Sequence, residues 1–408
     1  MEKITFFNIY EFELPLKKEL VIKKNNLNKR EGLLLNIGIS SGLSGFGEIS
    51  PLPFFHSESI DDARLQIKKL KQDSLFLKNI ESLFVKPDYS DLFSDSKKTV
   101  IKDLEDGLPG SAFLNIFTGF LIKLNDLFND LKVCPSVRTG LEMALTSLLF
   151  IRPGLDKIFK LASYSDLPVC RLMMDLKKDP EIEISEIIKN GFGSIKIKVG
   201  RASLDQEISS IKRIKELILQ NQLDPISLRL DANSLWSLKE AVYFGKAIGS
   251  SLIEYIEDPL SNISEYDQFF KDTQIPVALD EKLTELADLN RINELNGKCP
   301  DYLKAIIIKP DFIGGFFKTT ELINFARSND IIPVLSNSFN SSLLISFIAL
   351  FAGIMNLNEI PLGIDSLNLF SDNLLEENIK IIRGKINIFE IINNIKKINF
   401  NLLSPAGF

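Results

Sequence analysis

Residues 194–200 read SIKIKVG, and the rest of the chain is best read outward from this run. Ile195, Ile197 and Val199 alternate with Lys196 and Lys198. That period of two puts the aliphatic side chains on one face of a strand and both ammonium groups on the other. Six further runs follow: ISLRLDAN (226–233), LIEYIEDP (252–259), PVALDEK (276–282), AIIIKPD (305–311), IIPVLSNS (331–338) and, less sharply, IPLGIDSL (360–367). In each the hydrophobic stretch comes first and the polar residue last, and a helical stretch leads to the next run. Lys198, Asp231, Glu257, Asp280, Lys309 and Ser336 lie 33, 26, 23, 29 and 27 residues apart, about one strand-plus-helix unit each. The chain from about residue 190 is therefore parallel α/β. A doubly wound sheet would carry a glycine-rich phosphate loop after its first strand, whereas a closed barrel sets reactive residues at the carboxyl ends of many successive strands. The second pattern is the one present, so these side chains are expected to converge on one rim.

Three of them are carboxylates. Asp231, Glu257 and Asp280 would sit side by side at the rim, and their repulsion calls for a hard cation. Ligation by oxygen alone selects magnesium over zinc. Any one of the three could equally be a helix N-cap or a surface acid, and the case rests on all three standing in register. Lys196 and Lys198 point inward, where an ammonium is costly, and a neighbouring cation lowers a lysine's pKa toward that of a base. Lys198 is the expected base, with Lys196 depressing it, although both lysines could simply pair with the carboxylates. Lys309 comes three units after the first carboxylate and is expected roughly across the barrel from Lys198, a geometry for proton chemistry at a carbon held between them. The sole histidine, His56, lies outside the barrel. No His–Asp dyad, Ser–His–Asp triad or histidine-rich zinc site can therefore be built there. His56 itself, beside Phe54 and Phe55, is expected to pack or face solvent, with contact to substrate open if its loop covers the site.

The 408 residues, 45% hydrophobic and 25% charged, suffice for one large core and a smaller one. A net charge of −6 with interspersed signs leaves no basic face for nucleic acid and no polybasic membrane anchor, so the expected partner is a small molecule. Cys134, Cys170 and Cys299 are scattered without metal-ligand spacing and fit a reducing compartment. The first twenty residues lack a signal-peptide pattern. The longest uncharged apolar run, Leu343 to Met355, is too short to span a bilayer and reads as a buried helix, so a soluble cytoplasmic protein is expected. Residues 1–160 open with hairpin-like segments (3–14 and 32–49) and turn largely helical, which reads as a separate α+β domain. Within it, 75–133 is irregular and finds no place on a core.

KIK at 196–198, LRLDAN at 228–233, IEDP at 256–259, ALDE at 278–281 and IIKP at 307–310, in this order and spacing, resemble the lysine-KxK branch of the enolase superfamily. Within that branch, REGL (30–33), GFGEISPLP (45–53), SNSFNSSL (336–343) and GIDSL (363–367) resemble the o-succinylbenzoate synthase family. IEDP departs from the more frequent form with two glutamates but keeps Glu257. The resemblance implies a (β/α)7β modified TIM barrel over 161–368, an α+β cap over 1–160 and a carboxy-terminal segment, 369–408, that returns to the cap. It also implies loss of water from 2-succinyl-6-hydroxy-2,4-cyclohexadiene-1-carboxylate to give o-succinylbenzoate. Magnesium would sit on Asp231, Glu257 and Asp280, with Lys198 as base and Lys309 stabilising the anionic ring from the other face, in part by cation–π contact. By the same analogy Ser336, Ser338 and Gly363 would hold the succinyl end, and Arg229 and Asn233 would support the metal. Each also has a purely local use: strand-end serines satisfy backbone, a glycine permits a turn, and Arg229 neutralises carboxylates. The rival within the branch is an N-acylamino acid racemase or dipeptide epimerase. Such epimerases often carry Asp-x-Asp near the last strand for a substrate ammonium, where this chain has Asp365-Ser366-Leu367. A non-catalytic binding protein on this scaffold would be marked by loss of a ligand or lysine, and none is lost.

Overall fold

In the computed structural model, residues 2–22, 25–84, 111–129, 131–150, 166–174, 176, 180–221, 226–283 and 299–407 are described. Three antiparallel strands, β1 (Ile4–Ile22), β2 (Asn25–Ile39) and β3 (Ser44–Ile49), open the chain as a meander. Against them pack α1 (Ile60–Gln72) and, further along, α4 (Pro135–Phe150), while α2 (Ser74–Leu83) packs on α1 and α3 (Ser111–Asn129) on α2 and α4. The sequence GFG at 45–47 explains how closely α4 lies on β3. A Cβ on Gly47 would stand 1.9 Å from the Gly140 carbonyl oxygen, and one on Gly45 2.0 Å from that of Ala144. Only glycine lets the helix backbone come so near.

The segment 75–133 finds no core in the sequence pattern, yet its described parts are in one. Phe76, Ile80, Phe84, Phe117, Leu121, Leu124 and Phe128 are all buried. Residues 85–110 and the expected domain boundary near 160 lie outside the described residues.

After β4 (Asp166–Pro168) the barrel strands follow: β5 (Arg171–Met173), β6 (Ser194–Lys198), β7 (Ser227–Asp231), β8 (Ile253–Glu257), β9 (Val277–Leu279), β10 (Leu303–Ile308) and β11 (Ile332–Leu335). They form one parallel sheet in sequence order. The two edges are joined by residues 362–363, since Ser336 pairs with Gly363 and Val169 with Leu362, both in parallel. Gly363 N–H donates to the Leu335 carbonyl and Leu362 N–H to that of Pro168, each bond 2.8–2.9 Å long. The ring thus has seven strands and a short eighth, the capped and modified TIM barrel that the sequence leads one to expect.

Between the strands run α5 (Pro180–Lys189), α6 (Leu204–Gln220), α7 (Leu238–Ile248), α8 (Tyr266–Thr273), α9 (Phe316–Ser328) and α10 (Ser342–Ile354). α6 shows why: Ile208, Ile211, Ile214 and Ile218 recur at helical spacing and are buried, while its other face is charged. α10 carries most of the apolar run noted above, and every one of its residues is buried. None of the helices searched among the described residues is long and apolar enough to cross a membrane. Beyond the barrel, β12 (Ile381–Ile382) and β13 (Lys385–Asn387) make a small sheet with β4, and α11 (Ile388–Asn394) follows. β14 (Leu403–Pro405) then pairs with β1 and adds a fourth strand to the amino-terminal sheet.

Candidate active site

Strand register assembles the centre. Lys198 lies opposite Asp231, and Asp231 opposite Glu257, so the three share one level at the carboxyl end of β6, β7 and β8. Asp280 is the first residue after β9. Ligand oxygens of Asp231, Glu257 and Asp280 lie within 4.8 Å of one another, and all three side chains are buried. Such a set suits a hard divalent ion, because every donor is an anionic oxygen and nothing softer stands among them.

Lysines neutralise this charge. Lys196 Nζ is 3.0 Å from Asp231 Oδ2 and also bonds Glu257 Oε2. Lys198 Nζ donates to Asp231 Oδ2 at 2.7 Å and to Asn233 Oδ1 at 3.0 Å. Lys309 Nζ reaches both oxygens of Asp280, at 2.6 and 2.7 Å. β10 is four places from β6 in a ring of eight, so Lys309 and Lys198 flank the carboxylates from opposite sides.

The environment separates the two lysines of β6. Burial tends to lower the Lys196 pKa, but Asp231, Glu257 and Asp280 overcome it and hold the group well above its usual range. For Lys198 burial prevails: helped by the charges of Lys196 and Arg201 and opposed by Asp231, it brings the ammonium below its ordinary value. Burial would raise Asp231, yet Lys196 and Lys198 keep it well below the normal carboxylate range. Glu257 is pushed up to about 7 by burial and its acidic neighbours, against the pull of Lys196. These directions fit one charged lysine beside one that gives up its proton more readily.

A cavity of about 750 Å³ opens above these groups. Lys196, Lys198, Glu257, Asp280 and Lys309 line it from the barrel, with Arg201, Asn233 and Leu235 on the same wall and Leu20, Val21, Leu52 and Phe55 from the amino-terminal domain.

The residues assigned to substrate by analogy are more occupied than their sequence suggests. Ser336 Oγ donates to the Gly363 carbonyl at 2.9 Å, and Ser338 Oγ to Asp311 Oδ1 at 3.2 Å, so both hydroxyl protons are engaged. Gly363 serves close approach, since a Cβ there would stand 2.6 Å from Ser336 Oγ. Asn233 is beside Lys198 as described, and its backbone N–H meets Asp231 Oδ1 at 3.1 Å. Arg229 lies one layer below the carboxylates, level with Lys196. It donates to Glu254 at 2.8 Å and to the Pro361 carbonyl at 2.7 Å, tying β7 to β8 and to the closing segment.

Four groups at the site escape sequence reading. Asp258 accepts from the Asp280 and Lys282 N–H groups at 3.3 and 3.2 Å, and so fixes the turn that carries Asp280. Glu207 gathers the N–H groups of Gly200, Arg201 and Ala202 and fixes the loop after Lys198. Its place in the first turn of α6 was the available signal. Phe55 lays its ring over Lys309, with Nζ 4.6 Å from the centroid. Finally, Arg171 Nη1 holds Asp365 Oδ2 at 3.0 Å, and the Leu172 N–H holds the same oxygen at 3.1 Å.

Comparison with known proteins agrees with this geometry. Residues 4–84 match the MenC amino-terminal domain. The o-succinylbenzoate synthase of Pasteurella multocida is 28% identical over 376 residues, covering 90% of this chain and 91% of that protein. That of Vibrio cholerae is 29% identical over 374 residues, with 90% of each covered. Protein PHYLLO of Arabidopsis thaliana is 27% identical over 345 residues, but this chain spans only 18% of its length. Among solved structures, MenC from Desulfotalea psychrophila superposes with a TM-score of 0.69 at 20% identity, covering 94% of this chain and 99% of that one. A dipeptide epimerase from Cytophaga hutchinsonii, complexed with Mg and a dipeptide, gives 0.67 at 19%, covering 95% and 93%. These two likenesses speak to the fold. Residues 181–390, more than half of the chain, match the remaining family, and with the barrel and its rim they establish that the protein belongs to the enolase C-terminal domain-like family.

Proposed function

We propose that the protein is a magnesium-dependent o-succinylbenzoate synthase, a lyase that dehydrates 2-succinyl-6-hydroxy-2,4-cyclohexadiene-1-carboxylate. The observation that carries the reading is the pair Lys198 and Lys309 on opposite sides of the buried Asp231, Glu257 and Asp280. Relatives named o-succinylbenzoate synthase, matching over nine-tenths of the chain, support the choice of product. Magnesium held by the three carboxylates would offset the charge that builds on the substrate carboxylate as the neighbouring carbon loses its proton. Lys198 takes that proton as general base. Lys309 faces the opposite side of the ring and balances its negative charge. The protonated Lys198 then returns the proton to the departing hydroxide, which leaves as water, and the ring becomes aromatic.

Dipeptide epimerases often carry two acids here for a substrate ammonium, whereas this chain has Leu367 in the second place and its Asp365 is already bound by Arg171 and by a backbone N–H. Racemisation of N-acyl amino acids makes no such demand and would suit the same opposed lysines. One assay separates the two. Purified protein with magnesium should convert the cyclohexadiene to o-succinylbenzoate, monitored by absorbance and by identification of the product. Racemisation of N-acyl amino acids with the cyclohexadiene left intact overturns the proposal.

Two further results are expected here. EDTA should abolish turnover and magnesium restore it. Magnesium should also raise the melting temperature, because an ion bound only by the folded state stabilises it by mass action, about 2.7 kcal/mol at a hundredfold excess over Kd. An unchanged melting temperature up to millimolar magnesium would count against the metal site. Asp258→Ala should weaken magnesium affinity about tenfold in calorimetry, the order found when a group orienting a metal ligand is lost. Wild-type affinity in that variant would show that the Asp280 turn holds without it.

A further inference from the structure

Lys309 has neighbours on two sides. One is the Asp280 carboxylate, at 2.6 and 2.7 Å. The other is the Phe55 ring from the amino-terminal domain, whose centroid lies 4.6 Å from Nζ. Asp280 is also one of the three carboxylates proposed to hold the cation. An oxygen facing a divalent ion would have less charge left for an ammonium, and the aromatic face would then carry more of the contact.

The ring is held where it is. Phe55 packs on Phe312 at 4.5 Å between centroids, and Phe312 belongs to the helical turn Pro310–Ile313 that Lys309 itself begins. His56 pins the same loop. The Leu52 N–H donates to Nδ1 at 2.9 Å, so the ring proton sits on Nε2, which faces the Asp311 carbonyl at 3.2 Å. The His56 side chain is wholly buried, edge-on to Phe312 at 5.4 Å. Asp311 is itself bound by Ser338 and Asn340. Phe55 is thus fastened to the very turn that starts at the lysine it covers.

We propose that Phe55 is a positioning residue for Lys309: its ring, held on the barrel by Phe312 and His56, keeps the ammonium aimed across the site once Asp280 is engaged with the cation. Phe55 works through Lys309, and its contribution therefore falls on turnover more than on substrate binding. The inference rests on the role of Lys309 in the proposed reaction.

Two measurements on the full-length protein test it. In the first, Phe55→Leu keeps bulk and removes the aromatic face, while Phe55→Tyr keeps both. With magnesium and the cyclohexadiene substrate, Phe55→Leu should lower kcat about tenfold with little change in KM or melting temperature, and Phe55→Tyr should restore most of the loss. In the second, protein labelled with [6-13C]lysine is examined by NMR, and the Lys309 ε-methylene is assigned by its absence in Lys309→Arg. The ring current should shift that signal upfield in wild type and in Phe55→Tyr, with and without magnesium, and Phe55→Leu should abolish the shift. A wild-type kcat in Phe55→Leu, a loss confined to KM, or an ε-methylene signal indifferent to the substitution would each overturn the proposal. The NMR measurement needs no turnover. A wild-type protein that ignores the substrate yet shows the shift therefore refutes the reaction without touching the contact.

Discussion

Replacing Lys198 with alanine is expected to lower kcat by about three to four orders of magnitude, the upper part of the span usually ascribed to a positioned general base, while the fold and magnesium affinity persist. The magnitude follows from how β6 divides its two lysines. Lys196 touches Asp231 and Glu257 and is held charged by them. Lys198 touches Asp231 alone among the three, and burial together with the charge of Lys196 moves it the other way. Two like groups one pleat apart are thereby shifted in opposite directions, a pattern that suits an assigned acid or base. Among the described residues of the barrel no histidine offers a substitute, since the chain's single histidine is occupied at the edge of the amino-terminal domain. Lys198→Arg should be as inactive as alanine, because a guanidinium does not give up its proton at accessible pH. Initial rates, circular dichroism and magnesium calorimetry on both variants check this. Alanine protein that keeps more than about a tenth of wild-type kcat would move the base elsewhere.

How far the centre can be read from sequence depends on the range of the interaction. Asp231, Glu257 and Lys198 are legible because parallel strands in register carry a period of two and a roughly constant repeat straight into adjacency. Arg229 shares that face, but the same period sets it one layer down, so what reads as support for the metal ties Glu254 and Pro361 instead. The closing strand was the faintest run because it is barely a strand: two bridges at Leu362 and Gly363 complete the ring. Ser336 and Ser338 look available in one dimension and are engaged in three, as no local pattern announces the Gly363 carbonyl or Asp311 as their acceptors. Phe55 lies 254 positions before Lys309, and aromatic spacing says nothing about a contact so remote. The helices around 75–133 evaded reading for a related reason: their apolar faces meet one another, as in Phe76 with Phe128 and Phe84 with Phe120, and a barrel helix far along the chain, as in Phe117 with Phe351.

Glu48→Ala is expected to destabilise the protein by about 3 kcal/mol or more, a large loss for one side chain remote from the carboxylate cluster. Glu48, at the end of the GFGE run on β3, is buried and accepts from Ser50 Oγ at 2.6 Å. It also accepts from Ser341 Oγ at 2.5 Å and from the N–H groups of Ser341 and Leu344 at 3.1 and 3.2 Å, at the start of α10. A carboxylate from the amino-terminal domain thus caps a barrel helix whose every residue is buried. Glu142 does the same for the next helix back, accepting from the Phe316 and Phe317 N–H groups at 2.6 and 3.1 Å. Burial raises the Glu48 pKa against the hydrogen bonds, so part of their worth is spent on desolvating the charge. Removing the side chain does not recover that cost in full, because it leaves buried donors at the head of α10 without an acceptor. Glu48→Gln, which keeps one acceptor but turns an N–H pair toward those donors, should lose less. Urea denaturation at neutral pH gives both values. Activity at temperatures where Glu48→Ala is still folded should fall as well, since Asn340 links Ser50 to Asp311, and Asp311 holds the His56 that keeps Phe55 over Lys309. A Glu48→Ala protein with wild-type stability would mean that apolar packing alone joins cap to barrel, and the chain of hydrogen bonds and ring contacts from Glu48 to the lysine would lose its anchor.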